Sequence, residues 1–188
     1  MTDTPLHFLG IAGSLRSGAF SAALLAEIVA MSDAHSRTTA FPLRDVPLYN
    51  QDLEPAPGHA PAPVLELRRA IAAADGLVIV SPEYNYGMSG VLKNALDWAS
   101  RPAYKSALAG KPVLTITSSP GPVGGARAHI QLRQTLFGTL SRVVSRPEIL
   151  VSHVATKLTE GRLTDEQTRS VFKEGLADLA AEVARARV

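Results

Sequence analysis

Apolar positions follow two rhythms along this chain. Short runs rich in apolar and β-branched residues over 6–12, 37–41, 77–80 and 111–117 read as strands. Between them, apolar residues recur at helical spacing: Leu24, Leu25, Ile28 and Val29 within 21–31, Leu65, Leu67 and Ile71 within 64–74, and a further pattern beginning near Val91. Ile130, Leu132, Leu136, Phe137 and Leu140 mark another helix over 127–140, and Val171, Phe172, Leu176, Leu179 and Val183 a last one over 165–185. A fifth strand is expected in pieces, at 143–144 and 149–151, interrupted or bounded by Pro147. Ser21 is a candidate cap for the first helix, and Thr164 with Gln167 three residues on forms a capping-box pattern before the last. Five strands alternating with five helices predict an α/β chain of βαβ units, with a parallel sheet and helices on both faces. At 188 residues it reads as one domain, 1–188, doubly wound in the order 2-1-3-4-5.

Composition narrows the chemistry. There is no cysteine, so disulfides, thiolate metal sites and cysteine nucleophiles are excluded. No metal-ligating pattern stands out. The N-terminus lacks a basic segment followed by a long apolar one, and no apolar run reaches the ~18 residues of a membrane span, so the expectation is a cytoplasmic protein. Net charge is only +2, yet Asp97 and Glu148 bracket a stretch with no carboxylate that holds Arg101, Lys105, Lys111, Arg127, Arg133, Arg142 and Arg146. A second acid-free stretch, 4–26, holds Arg16. These are either solvated faces and subunit contacts or a positive field for a phosphorylated small molecule. With basic residues sparse and few aromatics among them, nucleic acid is not expected. Residues 42–63 form a long proline-rich excursion.

Three loops at the ends of strands carry the candidate chemistry. In an open parallel sheet, ligands bind outside the carboxyl ends of the strands. The first loop, Gly13-Ser14-Leu15-Arg16-Ser17-Gly18, leads into a helix N-terminus; its glycines, hydroxyls and one guanidinium, with Ser21 beyond, suit a phosphate. It is neither a Walker loop nor a GxGxxG fingerprint. The central loop follows the run ending at Ser81-Pro82 and reads Glu83-Tyr84-Asn85-Tyr86-Gly87. Two tyrosines and exposed backbone suit a flat heteroaromatic ring, while simple packing is an equal reading for Tyr86. Glu83 could act as a base, but no histidine or second carboxylate lies near it in sequence. The third loop, 118–125, is rich in glycine and proline and would lie beside the central one. One phosphate and one planar ring at the switch point between the first and third strands together describe a flavin mononucleotide.

Gly13-Ser14-Leu15-Arg16, then 81–87 as SPEYNYG, 92–98 as LKNALDW and 108–134 as LAGKPVLTITSSPGPVGGARAHIQLRQ, resemble the NAD(P)H-dependent FMN reductase family, and within it the chromate/quinone reductase branch. The resemblance covers 6 to about 150. It implies a flavodoxin-like fold, FMN as cofactor and NADPH or NADH as hydride donor, with quinone, azo, chromate or free-flavin acceptors. It assigns Ser14 and Arg16 to the FMN phosphate. It places Pro82, Glu83, Tyr84 and Asn85 along the ring, largely through backbone atoms, with Ser118 approaching from the third loop. The family's Ser-Phe-Asn is Ala19-Phe20-Ser21 here, so Ser17 or Ser21 is expected to supply the hydroxyl absent at Ala19. The helix over 93–98 often packs in a dimer interface in the family, and tetramers are common, which implies a homodimer or homotetramer. A tyrosine of the relatives' inter-subunit network is replaced by Ile130, which favours the dimer. The competing readings are a flavodoxin-like electron carrier and a non-redox regulator that keeps the fold.

Overall fold

Side chains on neighbouring positions of a strand point to opposite faces, and here that alternation divides one sheet between two apolar layers. The computed structural model describes residues 4–56 and 58–187. The central strands are β1 (Leu6–Ala12), β2 (Ser36–Phe41), β3 (Gly76–Tyr84) and β5 (Pro112–Ser118). Between them lie α1 (Phe20–Ala30), α2 (Ala62–Ala73), the two-residue β4 (Gly87–Met88) and α3 (Gly90–Ala99). After β5 come α4 (Ala126–Gly138), β6 (Arg142–Val143), β7 (Ile149–Val151), a small β8–β9 hairpin (Leu158–Thr159, Arg162–Leu163) and α5 (Glu166–Ala186). Leu9, Ile11, Leu77, Ile79 and Val113 face one layer, packed with α2, α3 and α4. Phe8, Val78, Val80, Leu114 and Ile116 face the other, packed with α1 and α5.

The parallel order is β2-β1-β3-β5, with the last edge shared between β6 and β7, both paired to β5. This is the expected 2-1-3-4-5 winding, and the last strand is split around Pro147 as its sequence suggests. Three expectations are corrected. The central strand does not stop at Ser81-Pro82: it continues to Tyr84 and turns back through β4, pairing Glu83 with Met88 and Tyr84 with Gly87. Ser21 does not cap α1: the N-cap is Ala19, two residues earlier, whose methyl group accepts no hydrogen bond. Asp165, not Thr164, caps α5, its carboxylate accepting from Thr168 N at 3.1 Å. An ionised carboxylate is the stronger acceptor, so it takes the position from its neighbour.

Two long-range ties fix the layers. The proline-rich excursion is fastened to α3: Asn94 Nδ2 and Trp98 Nε1 both donate to Pro47 O, and Tyr49 N donates to Asn94 Oδ1 at 2.7 Å. Trp98 is fully buried within its own protomer, edge-on to Tyr49. On the other face, the buried Glu27 of α1 accepts from Arg162 of β9 and from Arg169 of α5. Burial opposes its ionisation, but those two arginines outweigh it and hold its carboxyl below the usual range. Among the described residues no helix is long and apolar enough to cross a membrane.

His129 in α4 is buried, with Nε2 3.0 Å from Thr115 Oγ1 and Nδ1 3.3 Å from Glu148 Oε1. Burial lowers its pKa, and the nearby Glu148 only partly offsets this. Below the ordinary imidazole value of ~6.5 the unfolded chain takes up this proton before the folded one. Its stabilising contribution is therefore complete above that pH and is lost as pH falls through the window toward the lowered value. Urea midpoints measured from pH 7.5 to 5 should fall with acidification, and His129→Gln should reduce the slope. A residual slope is expected from His7, which is lowered by burial and then by Arg37. An unchanged slope would remove His129 from this account.

Candidate active site

Adjacent parallel strands β1 and β3 send their helices to opposite layers, α1 to one and α3 to the other. A crevice opens at their carboxyl ends, and the three predicted loops border it. A cavity of about 160 Å³ there is lined by Ser14, Arg16, Ser21, Pro82, Glu83, Tyr84 and Ser118, together with Ala19, Phe20 and Pro120. Seven of the eight residues singled out from sequence thus share one cavity. Asn85 does not line it. It lies on an adjoining cavity of about 370 Å³ that also borders Tyr86, Ser119, Gly121 and Arg127 and meets the first at Glu83. On the far side, a groove of about 360 Å³ between α1 and β2 shares Ser14 and Arg16 with the central cavity.

Two hydroxyls in the central cavity stand out. Ser21 Oγ and Ser118 Oγ are buried and make no hydrogen bond among the described residues. A buried hydroxyl without a partner costs about 1–3 kcal/mol, so two of them in one hollow suit a polar ligand. The N-terminus of α1 points the same way: no side chain caps it and no acid lies in its first turn. Arg16 is exposed, its guanidinium carbon 5.7 Å from the centroid of the Phe20 ring. Ser17 is exposed and outside the cavity, whereas Ser21 lines it. These groups fit a ligand with an anionic end at loop one and a planar end between the loops after β3 and β5.

The hairpin that borders this cavity is set by its turn. Asn85 and Tyr86 both have positive φ, 48° and 65°, the mirror-image geometry that two-residue hairpins favour. Asn tolerates it; Tyr86 pays a strain of about 1–3 kcal/mol that its surroundings must offset. They do so through α4. Glu83 Oε2 accepts from Arg127 N at 3.0 Å and Ala128 N at 3.1 Å, so the carboxylate considered as a base instead caps a helix. Arg127 lies over the Tyr86 ring, 4.4 Å from its centroid, while the tyrosine stays 71% exposed. Gln131 Oε1 accepts from Met88 N at 2.7 Å. Tyr84 OH reaches Ser14 Oγ at 3.4 Å and links the hairpin to loop one.

The third loop is shaped by two glycines. Gly124 and Gly125 have φ of 62° and 87°, and a Cβ on Gly124 would come within 2.8 Å of the Leu150 backbone. That close approach seats the loop against β7, and Thr117 Oγ1 donates to Gly124 O at 3.1 Å. Sequence reasoning missed Gln131 and the bracing role of Arg127, because nothing in the pattern of α4 reveals that its outer face meets a hairpin. Among the described residues no group of three or more His, Asp or Glu is placed to hold a metal ion.

Comparison with known proteins adds to this geometry. The family model for NADPH-dependent FMN reductase matches residues 6–156. An NAD(P)H-dependent FMN reductase of Pseudomonas aeruginosa is 41% identical over 183 residues, 97% of each chain. A quinone reductase of Escherichia coli is 40% identical over 174 residues, 92% of this chain and 88% of its own. The structure of FerB, a flavoenzyme NAD(P)H:(acceptor) oxidoreductase from Paracoccus denitrificans, superposes with a TM-score of 0.81 at 30% identity, covering 97% of either chain.

The Glu83 clamp can be tested apart from any ligand. Glu83→Ala removes the cap from two α4 amides and should lower stability by about 0.5–2 kcal/mol in urea unfolding. Glu83→Gln, which keeps one acceptor oxygen, should recover part of that. Equal stability of all three proteins would mean the clamp contributes nothing.

Proposed function

The chain belongs to the NADPH-dependent FMN reductase family and is an NAD(P)H-dependent oxidoreductase with FMN as cofactor, and we propose that it passes electrons to a quinone-class acceptor through the site built above. The observation that carries the site assignment is the pair of buried, unpartnered hydroxyls, Ser21 and Ser118, that line one cavity. In this reading Arg16, Ser14, Ser21 and the uncapped start of α1 hold the FMN phosphate. Pro82, Glu83, Tyr84 and Asn85 border the ring, with Ser118 donating from the third loop. The bound FMN supplies the hydride chemistry, accepting from NAD(P)H and giving electrons to the acceptor. The chain's task is to bind, orient and hold the ring's edge open. Arg127 and Gln131 keep the hairpin in place for that task without touching the cofactor. A quinone is favoured because the relatives include a quinone reductase and because the cavity at Asn85 and Tyr86 leaves the hairpin's outer side open to a planar molecule.

The same reading treats 1–188 as one FMN-binding domain, working in the cytoplasm as a homodimer. The dimer is supported by the apolar surface of α4. Ile130 and Phe137 stand two helical turns apart on that helix, 61% and 80% exposed, and Leu140 beyond its end is half-exposed. Such a stripe on the helix that braces the hairpin suits a second copy of the chain. Trp98, which the family pattern places near the interface, is occupied in its own protomer's core.

Purified protein should show a flavin spectrum that bleaches on anaerobic addition of NADPH and returns with a benzoquinone. Arg16→Ala and Ser118→Ala should each weaken FMN binding about tenfold, read by recovery of flavin fluorescence on dilution. Unchanged FMN affinity in both would overturn the site assignment. A protein that stays colourless in excess FMN would speak for a regulator. Light scattering should give a dimer, and Phe137→Glu should give a monomer; a wild-type monomer would end the dimer reading.

A further inference from the structure

The groove between α1 and β2 is left unused by the site assigned above. Its lining is mostly apolar and includes Ala22, Ala26, Ala40, Phe41 and Leu43. Its only charged lining residues are Arg16 and Arg44, both exposed and neither paired with a carboxylate among the described residues. A shallow apolar slot with guanidinium groups and no acid is complementary to a flat, weakly polar body that carries an anion. The groove also shares Ser14 and Arg16 with the central cavity, so one extended ligand can lie in both.

The reaction uses two nucleotides. A mononucleotide with its phosphate at loop one and its ring at the hairpin ends where this groove begins. The dinucleotide donor, with its nicotinamide over the ring, has an adenosine half still to place. We propose that the groove between α1 and β2 binds the adenosine half of the donor, and that Arg44 receives the 2′-phosphate that distinguishes NADPH from NADH. This rests on the reductase reading above and adds the donor's identity to it. Arg44 is suited to the task because its side chain is already held in place: its NH2 group donates to Leu15 O at 3.2 Å, leaving the rest of the fork for an anion. Four of its lining residues, Ala12, Ala22, Ala26 and Ala40, are alanine, which leaves room for a purine beside Phe41.

The test uses the full chain with FMN bound and two variants. Ala26→Phe adds a ring on the exposed face of α1, within the groove and outside the flavin cavity. Arg44→Gln removes the charge. Adenosine 2′,5′-bisphosphate, added to the FMN-loaded protein in a calorimeter, should bind the wild type and bind either variant at least about tenfold more weakly. The KM for NADPH should rise about tenfold in Arg44→Gln while that for NADH changes less than about twofold; in Ala26→Phe both should rise. FMN affinity, measured by fluorescence, should stay within about twofold of wild type in Ala26→Phe. If Arg44→Gln weakens FMN through its bond to Leu15, Ala26→Phe alone decides. No heat from the bisphosphate, or equal heat with wild type and Ala26→Phe, overturns the proposal. It is also overturned if Ala26→Phe leaves both KM values unchanged and instead weakens a flavin dinucleotide, which would give the groove to that ligand. Loss of FMN binding by the wild type would be a failure of the reductase reading itself and is seen separately in the spectrum.

Discussion

Everything at the functional edge depends on β1 and β3 lying side by side while their helices leave in opposite directions. Parallel crossovers are right-handed, so the connecting helices change face only where the direction of winding reverses. The chain goes outward from β1 to β2, then returns past β1 to β3. That reversal is why α1 packs with α5 and α3 packs with α2, and why no helix covers the crevice between them. The apolar alternation of Phe8, Leu9 and Ile11 against Leu77, Val78, Ile79 and Val80 holds the reversal in register, since a one-residue slip would exchange the two layers.

Once the crevice exists, its walls need support of another kind. The hairpin after β3 carries two residues at positive φ and cannot be held by its own pairing of two residue pairs. Support comes from α4, through Glu83 on its first amides, Arg127 on Tyr86 and Gln131 on Met88 N. A carboxylate, a guanidinium and an amide that together look like catalytic equipment are therefore braces. Their distances from one another describe how a rim is fastened. Ser21 and Ser118, by contrast, line the cavity with hydroxyls that have no hydrogen-bond partner among the described residues.

Much of this was legible in the sequence. The period-two and period-3.6 rhythms gave the strands, the helices and their order, because burial on both faces forces long apolar runs in β1, β3 and β5. Ser14, Arg16, Pro82, Tyr84 and Ser118 could be singled out as candidates because they lie at or just past the carboxyl ends of β1, β3 and β5, where the topology gathers ligands. What was not legible depends on contacts distant in sequence. The extension of β3 through Pro82 is stabilised by Ser118 and Met88 across the sheet. The cap of α4 comes from a residue 44 positions away. Ser21 looked like a helix cap and is instead a buried hydroxyl inside the first turn, an error of two residues in a boundary that no local signal marks. The β8–β9 hairpin was missed because its tie to the rest of the fold, Arg162 on Glu27, spans 135 positions.

The turn at Asn85 and Tyr86 has one more consequence. A rim fastened in advance at three points has little freedom left to lose when something settles against it. Visitors of different outline then meet the same fixed surface and are not gripped by a closing flap, so none is rewarded for inducing a fit. In the proposed reading, discrimination among acceptors would rest on planarity, charge and appetite for electrons, and a tolerance of different outlines would come from the stiffness of the rim.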